Sequence, residues 1–119
     1  MDKGIVLVGH GSRDPLWRLP IEAVAQRLHA TSPALPVRCA YLELQQPGVL
    51  AAAAELVGGG ARQVTLVPMF LGTGKHARDD LPRLLDELRK AHPGVSFTLQ
   101  PPVGEDPRVL DLLAAIARE

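Results

Sequence analysis

The chain has 119 residues, of which 46% are apolar and 22% charged, the proportions of one soluble globular domain. Thirteen basic residues balance thirteen acidic ones and only 3% are aromatic, which argues against a nucleic-acid binder: there is neither a strong positive field nor a base-stacking platform. A single cysteine, Cys39, excludes an internal disulfide framework and points to a reducing, cytoplasmic setting, the opening residues do not read as a leader, and no run of about 18 apolar residues is present to span a membrane.

The first apolar run, Gly4 to Val8, is short and rich in β-branched residues and reads as a buried strand. Asp14-Pro15 offers a helix opening, although Pro20 would kink that helix or begin it afresh; Ile21, Val24 and Leu28 form its apolar face. A second strand is expected over Val37 to Leu44. Val49, Ala52, Ala53 and Leu56 line a second helix that stops at Gly58-Gly59-Gly60. Val64 to Val67 reads as another buried strand, and Pro68 marks where it leaves the sheet. Leu81, Leu84, Leu85 and Leu88 make the clearest helical stripe. A fourth strand is expected over Val95 to Leu99. Asp106-Pro107 then caps a helix whose core face is Leu110, Leu113 and Ile116.

The order is therefore βαβαβαβα. Alternation at this spacing predicts an α/β fold with a four-stranded parallel sheet and helices on both faces. A strand order of 2-1-3-4 places a switch point between the first and third strands, where ligands bind at the carboxyl ends.

Three ionisable residues follow those strand ends. His10 lies in Val-Gly-His-Gly-Ser, Glu43 in Tyr-Leu-Glu-Leu and His76 in Gly-Thr-Gly-Lys-His. They are evenly spaced, 33 residues apart, one βα unit each. All three are expected at one edge of the sheet, with the histidines flanking the switch point. Strand side chains alternate between faces, so the pattern leaves open where Glu43 points. Two imidazoles and a carboxylate suit iron, cobalt, nickel or zinc. Two protein nitrogens make an open site, better suited to handing a metal on than to storing it. A position near the start of the third helix would favour a neutral His76, the form that binds metal. Gly9, Gly11, Gly72 and Gly74 would let a bulky ligand approach the backbone.

Each residue also has a plainer reading. Either histidine alone could serve as a turn residue, and Glu43 as a solvated strand end. His29 and His92 read as surface residues, Cys39 as a small buried strand residue, and Trp17 as packing under a loop. Asp79 and Asp80 read as caps of the third helix. Arg13, Lys75 and Arg78 read as surface charges unless a polyanionic ligand gathers them, when they become natural carboxylate partners.

Three stretches carry a family resemblance: Val-Gly-His-Gly-Ser-Arg-Asp-Pro at 8–15, Leu-Glu-Leu-Gln-Gln-Pro at 42–47, and the run from Val67 to Pro82. With Pro-Val-Gly-Glu-Asp-Pro at 102–107, they resemble the class II chelatases of the CbiX and SirB type, which insert cobalt or iron into sirohydrochlorin. The resemblance spans nearly the whole chain. It implies a flavodoxin-like half-chelatase domain and a homodimer that assembles the cleft which larger relatives build from two halves. It further implies that His10 and His76 bind the incoming metal and that Glu43 is the intervening acidic residue. In that setting a histidine or Glu43 would take a proton as general base, while Arg13, Lys75 and Arg78 would bind the substrate's peripheral carboxylates. The divalent metal (cobalt, iron or nickel) is then substrate, and no organic cofactor, nucleic acid or membrane is expected.

Other classes compete. A metal or tetrapyrrole carrier would bind without turnover. A phosphoryl-transfer enzyme could use His10 as nucleophile, but that chemistry wants an arginine beside the histidine, where Gly9 stands. A flavin binder would want a Ser/Thr-rich phosphate cradle after the first strand, which the sequence lacks.

Overall fold

A computed structural model describes residues 2–119. Four strands, β1 (Lys3–Gly9), β2 (Val37–Tyr41), β3 (Gln63–Pro68) and β4 (Ser96–Leu99), alternate with four helices, α1 (Leu19–Thr31), α2 (Val49–Gly58), α3 (Lys75–Ala91) and α4 (Pro107–Ala117). The strands form one parallel sheet in the order β2-β1-β3-β4, as the alternation predicts. β1 therefore lies between β2 and β3, pairing Gly9 with Tyr41 and Val8 with Pro68.

The alternation of β1 divides the core into two layers. Val6 and Val8 face α2 and α3, where they join Ala52, Ala53, Leu56, Leu81 and Leu88. Ile5 and Leu7 face α1, where they join Ile21, Val24 and Leu28. Leu66, in the first layer, is fully buried, and truncating such a leucine to alanine typically costs about 2–5 kcal/mol.

Several boundaries differ from the sequence pattern for local reasons. Both proline signals after β1 are used: Asp14-Pro15 opens a separate 3-10 turn over Pro15–Arg18, and α1 starts afresh at Leu19 with Pro20 in its first turn. The Asp14 carboxylate caps the short turn by accepting from the Leu16 N–H at 2.9 Å.

β2 ends at Tyr41, three residues short of the expected Leu44. Leu44 has φ +66°, so the chain turns there, and the Gln45 N–H donates back to the Glu43 carbonyl at 2.8 Å. The loop closes where the Tyr41 N–H donates to the Pro47 carbonyl at 3.0 Å. β4 begins at Ser96 rather than Val95, because the Val95 N–H is used in a turn to the His92 carbonyl.

The largest departure is α4. Its apolar stripe was expected on the core, yet among the described residues none of α4 is buried. Leu110, Leu113 and Ile116 stay 51%, 40% and 54% exposed. The helix meets the body chiefly through the 3-10 turn Val103–Glu105. Amphipathic period shows that a helix has a face to bury but not what will cover it.

Candidate functional site

The carboxyl ends of β1, β2 and β3 open on one hollow of about 260 Å³, and its lining includes His10, Glu43, Lys75, His76 and Asp80. Three separate βα units thus deliver both histidines and Glu43 to a single cavity.

His10 directly follows β1, and its half-buried ring stacks on Phe70 with centroids 4.1 Å apart and planes 24° apart. Glu43 lies two residues beyond β2, in the loop rather than in the strand. Sheet-like bonding nevertheless continues to it: the Leu42 N–H donates to the Gly9 carbonyl and the Glu43 N–H to the His10 carbonyl, each at 3.0 Å. His76 is the second residue of α3 and is exposed. Helix α3 starts on Gly74, which offers no side-chain cap.

The loops that carry His10 and Glu43 are also tied by a side chain. The Ser12 N–H donates to Oε1 of Gln45 at 3.3 Å, and the Asp14 N–H donates to the Ser12 hydroxyl at 3.1 Å. Among the described residues, no three His, Cys, Asp or Glu side chains are drawn together as a ready-made metal cluster. The arrangement therefore places candidate donors around a common space without forming a closed cage.

The positive residues separate. Lys75 lines the hollow. Arg78 instead lines a neighbouring cavity of about 440 Å³ with Thr73, Gln100 and Glu105, and its guanidinium donates to the Thr73 carbonyl at 3.3 Å. Arg13 is exposed on the loop after His10. A larger depression of about 530 Å³ holds His29 and Arg38, but it lies at the other end of α1 and gathers no set of ligand side chains.

Two glycines do something other than admit a ligand. A Cβ on Gly9 would meet Ile21 Cδ1 at 2.5 Å, with Tyr41 and Trp17 behind it, so Gly9 makes room for α1-side packing. Gly11 has φ +102°, and a Cβ there would overlap the Glu43 carbonyl. Gly72 and Gly74 do face open space among the described residues.

Asp79 and Asp80 are not caps, since α3 begins four residues before Asp79. Asp80 lies one turn beyond His76 on the same face and lines the hollow, while its carboxylate pairs with Arg83 at 3.3 Å. The i, i+4 spacing from His76 was the available signal for it. Phe70 carried no such signal, because ring stacking between distant loops has no period. Cys39 and Tyr41 lie on the α1 side of the sheet, where burial pushes the thiol and the phenol up, with Glu22 adding to the effect on Cys39. Trp17 packs edge-on against Tyr41, with ring centroids 6.3 Å apart.

The family model for CbiX matches residues 4–119. The chloroplastic sirohydrochlorin ferrochelatase of Arabidopsis thaliana is 31% identical over 110 residues, covering 92% of this chain and 49% of that protein. The sirohydrochlorin cobaltochelatase of Saccharolobus solfataricus is 31% identical over 122 residues, covering 98% of this chain and 94% of the relative. The crystal structure of the sirohydrochlorin chelatase SirB from Bacillus subtilis subspecies spizizenii in complex with cobalt superposes with a TM-score of 0.83 at 27% identity. That superposition covers 99% of this chain and 50% of the SirB chain. The chain spans about half the length of several curated relatives it matches.

A 2-1-3-4 parallel sheet with these neighbours defines a flavodoxin-like chelatase half. Matched along nearly its whole length, the chain belongs to the CbiX family.

Proposed function

We propose that this chain inserts a divalent transition metal, cobalt or iron, into sirohydrochlorin. The observation that carries the reading is the single hollow lined by His10, Glu43 and His76. The names of the relatives, which divide between cobaltochelatase and ferrochelatase, supply the substrate class.

The groups define the chemistry. Metallation exchanges two pyrrole N–H protons for one M²⁺, so the site must hold an ion loosely and accept protons. Neutral imidazoles of His10 and His76 donate one lone pair each and leave the remaining metal positions open to the macrocycle. Glu43, exposed at the rim of the same hollow, accepts a pyrrole proton as general base. Holding ion and ring together replaces encounter with a fully hydrated ion. The Lys75 ammonium is placed to meet a peripheral carboxylate of the substrate. Arg13 and Arg78 lie outside the hollow and would reach only substituents that extend beyond it.

The working form in this reading is a homodimer in a cytoplasmic setting, with no nucleic acid or membrane as partner. Support for pairing comes from the exposed apolar stripe of α4 and from relatives about twice as long. A second copy supplies both the missing cover and the missing half of a cleft. Among the described residues, no helix is long and apolar enough to cross a membrane.

The test is anaerobic metallation of sirohydrochlorin by Co²⁺ and by Fe²⁺, followed by absorbance. The combined His10→Ala and His76→Ala variant should lose catalysed insertion while keeping its helical signal. Wild-type rates in that variant would remove the reading.

A further inference from the structure

We propose that Phe70 is a positioning residue for His10, its buried ring holding the imidazole in the plane from which His10 meets the metal. The inference rests on the metal-binding role given to His10 above and adds a residue that acts through it.

The backbone brings the two rings together. Val8 pairs with Pro68 at the end of β3, and the Met69 N–H then donates to the Val8 carbonyl at 2.8 Å. Carrying that register two residues further sets Phe70 beside His10, where the rings stack at 4.1 Å. Phe70 is only 3% exposed and belongs to the core layer that contains Ala77 and Leu81 of α3. Its carbonyl accepts the Gly104 N–H at 2.9 Å. Gly104 itself sits so close to Leu71 that a Cβ would overlap the Leu71 backbone. Phe70 is thereby fixed by both the core and the loop after β4, whereas the His10 ring, on a main chain tied to Glu43, is only half-buried.

A histidine's second side-chain torsion is broad, so a metal-binding ring needs something to hold its plane. The usual device is a hydrogen bond from the second ring nitrogen. Stacking restrains the ring through its face and leaves both nitrogens free at the edge. The electron-rich face of Phe70 also favours an imidazole whose electron density is drawn toward a cation.

The experiment compares wild type, Phe70→Leu, Phe70→Tyr and His10→Ala, using Co²⁺ alone as calorimetric probe and proton NMR of the metal-free protein. Phe70→Leu should weaken Co²⁺ binding by about ten- to a hundredfold, as loss of an orienting neighbour does, while Phe70→Tyr stays near wild type. In the wild type, the His10 ring protons should lie upfield of those of exposed His29, shifted by the Phe70 ring current; in Phe70→Leu they should move to the His29 positions.

Unchanged Co²⁺ affinity in a folded Phe70→Leu overturns the proposal and leaves the metal site standing. Wild-type protein that binds no Co²⁺, or binding that survives His10→Ala, overturns the metal site and the proposal with it. If Phe70→Leu does not fold, the wild-type spectrum decides: His10 protons at the His29 positions overturn the proposal, and upfield protons support it.

Discussion

The backbone N–H of Glu43 donates to the carbonyl oxygen of His10 at 3.0 Å. Two residues 33 apart in sequence are thus fixed to each other by the main chain before either side chain acts. The glycine after His10 makes the approach possible, because its left-handed backbone carries no Cβ into the Glu43 carbonyl.

Gly11→Ala should therefore damage both stability and activity. The backbone conformation alone costs about 1–3 kcal/mol for a residue with a side chain, and the overlap adds to it by forcing the two loops apart. Urea unfolding should show the loss, and metal insertion should fall with it. Gly72→Ala, facing open space, should change stability by less than about 0.5 kcal/mol. Equal effects of the two substitutions would contradict the packing described.

Glu43→Gln separates proton transfer from metal binding. It keeps the shape and removes the base, so the turnover rate should drop about 10²–10⁴-fold. Co²⁺ affinity should fall less than in His10→Ala. Turnover unaffected by the change would take the base role away from Glu43.

Leu110→Asp combined with Leu113→Asp tests what α4 is for. Both leucines are already exposed in the single chain, so the change should leave the far-UV circular dichroism intact. Sedimentation should show the wild type as a dimer and the variant as a monomer with much reduced insertion activity. A wild-type monomer, or a variant that still pairs, would locate the interface elsewhere or remove it.

Asp106 gives a pH dependence with a definite sign. Its carboxylate caps α4 by accepting from the Arg108 N–H at 2.8 Å. The side-chain hydrogen bond from Arg108, followed by that backbone bond, lowers its pKa from 3.8 to about 2. A lowered carboxyl pKa stabilises the folded form above the unfolded value of 3.8, and the contribution is lost as pH falls toward 2. The Asp106 carboxyl carbon should titrate near 2 by NMR, with fraying of the first turn of α4 over the same range. A midpoint at the ordinary value would show that the cap is not formed in solution.

Much of this arrangement is legible in the sequence because a parallel β/α repeat has a long, regular period. Even spacing of His10, Glu43 and His76 puts them at equivalent ends of consecutive units, and the hollow gathers all three. What the pattern misses depends on contacts without period. Leu44 turns the chain through a positive φ that apolar patterning takes for strand. Gly9 and Gly11 resemble a ligand cradle but are occupied by Ile21 and by the Glu43 carbonyl. Arg78, two residues from His76, faces a different cavity because two helical positions turn a side chain about 200° round the axis of α3. The stripe of α4 is plain in the sequence, yet among the described residues it stays exposed.

The start of α3 has one more consequence. Lys75 and His76 occupy its first turn, no acidic residue accompanies them, and Gly74 brings no acceptor to the free N–H groups. The Lys75 ammonium at this end opposes the helix dipole. In the proposed function a carboxylate of the substrate meets this end of α3 and offsets that opposition, so the same Lys75 that costs the empty helix stability serves the bound state.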